Sequence, residues 1–426
     1  MTTITYPLIL RFFYACLWCL LLPLAVLHLL YRSIRQPAYR QFIGERFGFY
    51  PNSLAKPIWL HAASLGEVNA AAPLLRDLRA EHPDIALLIT CQTPAGRQAA
   101  QALKLDNCLC VYSPFDLAWT TRRFIQHFQP RLTLIVETEI WPNLYLSAHQ
   151  ANVPVLIINA RMTERSFKRY SKLPKLFAHT LAIVDDIACQ TEADAQRFIA
   201  LGVKPANVSI SGNIKWDKRP KPSGIYSAQQ RRKQWPQRPI WLAASTHADE
   251  ESMVLAAHRE ILQHWPSALL LWAPRHSERF SPVAELLAAQ GLCVSARSVD
   301  FEPTADAHVF LIDTLGELQD FMPCADVVFV GGSLQNIGGH NVLEPAALGL
   351  PIIVGPHTQH FAEIVAALKH AEALCEVQDA AAFTKQLLQL LNAPNEASLL
   401  GQNALRCVQQ SLGALEKTKA LIAQRL

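Results

Sequence analysis

The sequence predicts an α/β protein of two parallel-sheet domains in tandem, behind an N-terminal helix that meets a membrane. Three observations carry this. From residue 57 onward, short apolar β-rich runs alternate with helical patterns, as in parallel strands covered by helices on both faces. The run "PIWLHAAS" at Pro57 returns almost unchanged as "PIWLAAST" at Pro239, so a second domain opens as the first does. The 19 residues from Phe12 to Leu30 carry no formal charge beyond any proton on His28.

A helix of that length reaches about 28 Å, close to the hydrocarbon thickness of a bilayer. No small-residue cleavage site follows it, which argues against a removed signal peptide. Arg32, Arg35, Arg40 and Arg46 follow the segment and Arg11 alone precedes it, so the positive-inside rule places the rest of the chain on the cytoplasmic side. Pro23 and His28 leave a second arrangement open, a helix lying in the interface or against the protein. The expected organisation is an anchor over residues 1–35, a first domain over 36–215, a linker over 216–238 and a second domain over 239–426. The last helix is free to pack back on the first domain.

A chain of 426 residues, half of them hydrophobic, fills two or three cores at about 150 residues per domain. The net charge of +4, with no long basic run interleaved with aromatics, argues against a nucleic-acid polymer as partner. Of the ten cysteines, Cys16 and Cys19 lie in the apolar segment and Cys108 and Cys110 in a strand-like run. Neither pair has the surroundings of a zinc site or a disulfide framework, and a reducing compartment fits.

The first domain offers the runs "PIWLHAAS", "IALLIT", "CLCVYS", "RLTLIVET", "VPVLIINA", "AIVDDIACQ" and "NVSISGN". In open α/β sheets ligands bind at the carboxyl ends of strands, and two such domains facing one another bring both sets of ends to one cleft. Glu67 follows the first run. Glu137 and Glu139 end the fourth, expected on one side because residues two apart in a strand face alike. Lys215 ends the last. Ser64-Leu-Gly-Glu67 also matches a capping box, whose Glu serves its own helix. Two carboxylates at the end of a buried strand are costly unless something satisfies them. The stretch Lys215 to Pro239 is polar, basic and proline-rich, as a linker is.

In the second domain "LLLWAPRHSERF" leaves Pro274 and Arg275 at a strand end, although a surface pair of Arg275 with Glu278 is the plainer role. "LIDTLGELQDF" places a turn, Leu315 and Gly316, before Glu317. Six of the 17 glycines fall between Gly331 and Gly355, in "GGSLQNIGGHNVLEPAALGLPIIVGP". Its apolar lead-in reads as a buried strand and "LEPAALG" as a helix start with Pro345 first. Such a turn presents amides and a helix-dipole end that favour phosphate, or it is simply a tightly packed turn. Pro345 disfavours helical geometry at Glu344, which places that carboxylate at the cap, able to accept two ribose hydroxyls.

The blocks "ASLGE", "ETEIWPN", "NAR", "GNIKWD", "STHADEE", "PRHSERF", "DTLGEL" and "FVGGSL…GGHNVLEPAALGLPIIVGPH", in this order over essentially the whole chain, resemble the bacterial 3-deoxy-D-manno-octulosonic acid (Kdo) transferases of lipopolysaccharide synthesis. The resemblance implies a GT-B fold of two Rossmann-like domains, CMP-Kdo as donor and the lipid A precursor as acceptor, at the cytoplasmic face of the inner membrane. It makes Glu67 the general base, and gives Glu137 and Lys215 the support of the transition state. It puts CMP on Pro274 and Arg275, on Leu315, Gly316 and Glu317, and on Asn341, Val342, Leu343 and Glu344. The leaving phosphate is expected to meet the amides of the glycine turn and Arg275. No cofactor is implied. The absence of a D-x-D motif points to transfer without a metal, and a single displacement inverts the anomeric centre.

Arg161, Arg165, Lys168, Arg169, Lys172 and Lys175 recur at helical spacing and form a basic stripe if the segment is one helix. Ordinarily such a stripe is a solvated face. For a phosphorylated glycolipid acceptor in an anionic membrane it is a docking surface. A soluble nucleotide-sugar epimerase of the same architecture needs neither the apolar segment nor the stripe. A UDP-sugar-dependent lipid glycosyltransferase differs in its nucleotide, and a membrane-tethered binding module has no need of Glu67.

Overall fold

The computed structural model describes residues 7–217 and 222–426. The first six residues of the expected anchor and residues 218–221 of the expected linker lie outside them. The chain divides into two units, Met1–Asp217 with Leu412–Leu426, and Lys218–Ser411.

The apolar runs of the first unit are too short for buried helices and become seven parallel strands: β1 Ile58–His61, β2 Leu87–Cys91, β3 Cys108–Tyr112, β4 Leu132–Val136, β5 Val155–Ala160, β6 Asp186–Cys189 and β7 Val208–Ile210. They lie in the order β3-β2-β1-β4-β5-β6-β7. Both faces are covered, so the central strands are apolar throughout rather than alternating. Trp59, Ile135 and Ile157 join Phe124, Phe128 and Tyr145 in one core, while Ile58, Leu60, Leu134 and Leu156 join Val68 and Leu75 in the other. The order reverses between β1 and β4. There the carboxyl ends of neighbouring strands diverge into separate loops and open the crevice that ligands use in such sheets.

The last helix, Ala414–Ala423, belongs to this first unit. Asp217 accepts the Gly413 N–H at 2.7 Å and the Leu415 N–H at 2.6 Å. Lys419 reaches Glu81 at 2.7 Å and Asp77 at 3.4 Å on the helix Leu65–Glu81.

The second unit repeats the plan with β8 Ile240–Thr246, β9 Leu269–Pro274, β10 Val294–Ala296, β11 Val309–Leu311, β12 Val327–Val330, β13 Ile352–Val354 and β14 Cys375–Glu376. All are parallel, in the order β10-β11-β9-β8-β12-β13-β14. The reversal falls between β8 and β12, so the glycine-rich loop after β12 occupies the position in this sheet that the β4 end occupies in the first.

The stretch read as a linker contributes instead to both units. Ile214–Asp217 is a 3₁₀ turn of the first. Pro222–Gln234 is a helix of the second, with Ala228 and Trp235 buried. Its Arg231 pairs with Glu302 at 2.7 Å, and the Trp235 indole donates to the same carboxylate at 3.0 Å. Arg232 pairs with Asp326 at 3.6 Å, so buried Ala228, Trp235 just beyond the helix and two ion pairs hold a segment whose composition is otherwise that of a loop. The N-terminal segment is a helix, Leu8–Arg35, continuous through Pro23. It is long and apolar enough to cross a membrane, with a mean hydropathy of 2.2.

Asp217→Ala removes both acceptors at the start of the last helix, a loss of about 1–2 kcal/mol. Amide exchange across Ala414–Ala423 is expected to accelerate about tenfold while β1 to β7 keep their protection. Equal acceleration in the strands would show that the helix is integral to the sheet rather than strapped to it.

Candidate active site

At the β1 end the chain turns into the helix Leu65–Glu81, capped by Ser64, whose hydroxyl accepts from the Glu67 amide at 3.3 Å. The Glu67 carboxylate accepts the Ala63 N–H at 2.7 Å and the Ser64 hydroxyl at 3.0 Å. It therefore caps, yet reaches one residue beyond the usual box and leaves much of its acceptor capacity unused. The side chain is half-buried, and its pKa is raised to about 7: burial is the main cause and the Glu139 charge the next, against the Ala63 N–H, with Glu137 adding to the rise.

Glu137 and Glu139 do not share a side. Glu137 takes the left-handed conformation, φ 61°, which carries the chain out of the strand before Glu139, so strand alternation no longer applies. Glu137 lies 3.6 Å from the Lys215 ammonium. Glu139 accepts the Trp141 indole N–H at 2.7 Å and the Gln92 amide at 3.3 Å. Lys215 is positioned by the turn after β7, where the buried Asn159 Oδ1 accepts the Ile214 N–H at 3.0 Å. His61, which the sequence reading passed over, is fully buried at the β1 end. Its Nδ1 meets Thr90 Oγ1 at 2.8 Å, and Nε2 faces Glu139 at 3.9 Å with no hydrogen-bond partner. Three carboxylates, one lysine and one histidine thus converge on the first sheet's reversal point.

In the second unit the decisive residue is Glu250, also missed. It is wholly buried, and its carboxylate accepts the N–H groups of Gly332 at 2.8 Å, Ser333 and Leu334 at 3.0 Å, and His247 at 3.1 Å. The first half of the glycine turn is therefore already filled by an anion of the protein itself, and these amides do not await a phosphate. Close packing requires the flanking glycines: a Cβ on Gly331 would sit 2.6 Å from the Ser245 carbonyl oxygen, and one on Gly355 2.2 Å from that of Ser333.

The helix after the turn is Leu343–Ala347, so Pro345 is its third residue and Glu344 lies inside the first turn rather than at the cap. A proline there sacrifices no helical hydrogen bond, since the first N–H groups have no intrahelical acceptor. Asn341 does the capping, its Oδ1 accepting the Leu343 N–H at 3.1 Å and its Nδ2 donating to Glu344 at 3.1 Å. Val342 and Leu343 are buried and offer only backbone. Pro274 ends β9, and Arg275 beyond it is exposed, its N–H on the Thr246 carbonyl at 3.0 Å. Leu315 and exposed Gly316, φ 88°, form the turn after β11. Glu317 is held by Thr314 and by Arg297 at 2.8 Å, and these bonds, Thr314 first, lower its pKa.

Since β11, β9, β8 and β12 are neighbours, all these groups line adjacent strand ends of one sheet. Between them stand His247 and His340, stacked with Nε2 atoms 2.8 Å apart. Burial, and then Arg275, push His340 down to about 4, so that imidazole is neutral at pH 7.

The basic segment is not one stripe. Arg161 follows β5, and Arg165, Lys168 and Arg169 lie on a short helix, Glu164–Tyr170. Lys172 sits in the turn beyond it, and Lys175 on a separate helix, Pro174–Leu181. Pro174 breaks the periodicity because it disfavours helix at Leu173. Lys168 pairs with Glu164 at 2.6 Å in full exposure, a weak contact. Arg165, Lys168, Arg169, Lys172 and Lys175 are all exposed.

Residues 41–218 match the family model of 3-deoxy-D-manno-octulosonic-acid transferase (kdotransferase), and residues 304–406 that of glycosyl transferases group 1. The 3-deoxy-D-manno-octulosonic acid transferase of Haemophilus influenzae is 38% identical over 97% of this chain and 98% of its own. The crystal structure of the C-terminal CMP-Kdo binding domain of WaaA from Acinetobacter baumannii is 35% identical, covering 44% of this chain and 98% of that one, with a TM-score of 0.42. Anabaena Alr3699/HepE in complex with UDP shares the fold, with a TM-score of 0.50 at 12% identity over 87% of this chain and 100% of that one. The fold class is GT-B, two Rossmann-like parallel-sheet domains.

Glu250→Ala strands four N–H groups, three of them on the glycine turn. At about 1–3 kcal/mol for each buried group left unpaired, the second unit is expected to lose at least about 3 kcal/mol in urea unfolding. A loss below about 1 kcal/mol would show that the turn holds its shape without this carboxylate.

Proposed function

Because the chain belongs to the Kdo transferase family and is a glycosyltransferase, we propose that it moves Kdo from CMP-Kdo to a lipid A precursor, lipid IVA. Transfer proceeds with inversion and without a metal, at the cytoplasmic face of the bacterial inner membrane. The observation that carries this reading is Glu67. It is a half-buried carboxylate at a sheet's reversal point, with a pKa raised to about 7, matched to general-base work at neutral pH.

In the proposed step the Glu67 carboxylate takes the proton of the acceptor hydroxyl. The hydroxyl oxygen bonds to the anomeric carbon of Kdo as the bond from that carbon to the phosphate oxygen breaks, and the electron pair leaves with CMP. One displacement inverts the centre. Lys215 supplies positive charge where negative charge develops, and Glu137, 3.6 Å from it, orients the ammonium.

We assign the cytidylate to the second unit. Arg275 takes the phosphate, with the neutral His247–His340 pair beside it in place of the amides that Glu250 occupies. Glu344, steadied by Asn341, takes ribose hydroxyls. Pro274, Leu315, Gly316 and Glu317, and the backbone of Val342 and Leu343, bound the remainder. Half-buried Arg161 and exposed Arg165, Lys168, Arg169, Lys172 and Lys175 are assigned to the acceptor phosphates or the anionic membrane.

Glu67→Gln keeps the cap, because the amide oxygen accepts the Ala63 N–H and the amide nitrogen donates to the Ser64 hydroxyl. It is expected to fold and bind CMP as the unaltered protein does, with turnover lower by about two to four orders of magnitude. In the unaltered protein kcat/KM rises with pH through about 7 as the base ionises, and the variant lacks this limb. Turnover within about tenfold of the unaltered protein would return Glu67 to its helix and move the base to Glu137 or Glu139.

Glu344→Ala is expected to weaken CMP binding by about 1–3 kcal/mol, the cost of unpaired hydroxyl partners. Unchanged affinity by calorimetry would remove the ribose from this residue, and tighter binding of UDP than of CMP would contradict the donor.

A further inference from the structure

The helix Leu8–Arg35 carries two stripes on opposite sides along its whole length. Tyr14, Trp18, Leu22, Ala25 and Leu29 are half-buried and Ser33 is buried, a recurrence every three or four residues that marks one face. Phe13, Leu20, Leu24, Leu27, Tyr31 and Ile34 are exposed on the other. The shielded face is latched to the first unit near its start. The Tyr14 hydroxyl donates to the buried Asp116 carboxylate at 2.8 Å, and Trp18 packs on Phe115 at 6.1 Å between ring centroids. At the far end the Arg32 guanidinium lies over the buried Tyr39 ring at 4.2 Å.

From these contacts we infer that the helix lies in the plane of the membrane interface, strapped along the first unit with its exposed stripe in lipid, and does not cross the bilayer. The inference rests on the membrane association proposed above. From Tyr14 to Ser33 the helix advances about 28 Å, the whole hydrocarbon thickness. A crossing helix that kept its latch would draw the surface around Asp116 into the far leaflet. That surface continues into the helix Ala118–Phe128, where Arg122 and Arg123 are exposed, and arginines at that depth are costly. An in-plane helix keeps the Tyr14 and Trp18 contacts with the first unit while its opposite stripe lies in lipid, as these contacts and the two stripes allow.

The surface beside the latch suits the same depth. Phe47 links Phe115 to Trp119, and Phe42, Phe49 and Trp119 are exposed. The exposed Arg123 lies over Phe49 at 3.9 Å, whereas Arg97, over Phe42 at 4.0 Å, is buried and paired with Glu45 at 2.6 Å. Aromatic rings paired with arginines belong at the headgroup level. The exposed Arg32, Arg35 and Arg40 at the helix end complement anionic headgroups, so the occupant of the stripe is an anionic phospholipid bilayer.

The test uses the full chain with exposed Cys16, Cys19 and Cys293 replaced by alanine. Bimane is attached in turn at Phe13→Cys, Leu20→Cys, Leu27→Cys and Ile34→Cys, on vesicles of phosphatidylethanolamine and phosphatidylglycerol. Quenching by lipids brominated at graded depths is expected to place all four labels at one shallow depth, with a fifth label at Leu22→Cys unquenched. A profile deepest at Leu20 and Leu27 and shallow at both ends would mean a crossing helix, overturning the inference but leaving membrane association intact. No quenching at any position would overturn both.

Discussion

Much of this molecule turns on how many N–H groups a buried carboxylate can find. Glu250 finds four and becomes the fixed anion around which the glycine turn of the second sheet is wound. Burying it without those donors would cost several kcal/mol. With them it locks the β8 end, the following helix and the β12 end into one piece. The phosphate-binding potential of such a turn is then spent internally, which is why the proposal gives the donor to Arg275, the histidine pair and Glu344 instead.

Glu67 is its counterpart in the internal repeat. Each residue is the third of the helix after its domain's first strand, with Ser64 and His247 as the respective caps. From Pro57 to Glu67 is ten positions and from Pro239 to Glu250 eleven. The extra residue is absorbed by the irregularity between Ala244 and Thr246, where Ser245 takes φ 57°. Glu67 meets one backbone N–H and one hydroxyl, with two carboxylates nearby. Local geometry alike in plan thus yields a fully satisfied carboxylate in one unit and one with a raised pKa in the other, the form that the proposed base requires, and the difference lies in the donors supplied.

The sheets were legible because apolar runs bounded by turn residues leave little choice, and the repeat of the first strand announced the second unit. Glu67, Lys215 and Arg275 were legible as strand-end residues. The separate partners of Glu137 and Glu139 were not, because Glu137 takes the left-handed conformation just after β4 and so undoes strand alternation. The helix Pro222–Gln234 was hidden by its polarity, since among the described residues its buried apolar contacts come down to Ala228 and the adjoining Trp235, and the rest of its hold is through Arg231 and Arg232. The broken basic stripe was written in Pro174, whose effect on Leu173 outweighs the charge spacing. Glu250 and His61 were invisible because their roles depend on long-range partners, Leu334 and Glu139, that local pattern does not connect.

The central claim is that the first unit supplies a base to an acceptor hydroxyl while the second holds a cytidylate-activated Kdo. It is tested most directly by incubating the purified full-length chain with CMP-Kdo and lipid IVA in the presence of a chelator, and weighing the lipid product by mass spectrometry. The account predicts a lipid heavier by one or more Kdo residues, with CMP released in equal amount. Unmodified lipid, or a product that forms only when a UDP-sugar replaces CMP-Kdo, would contradict it.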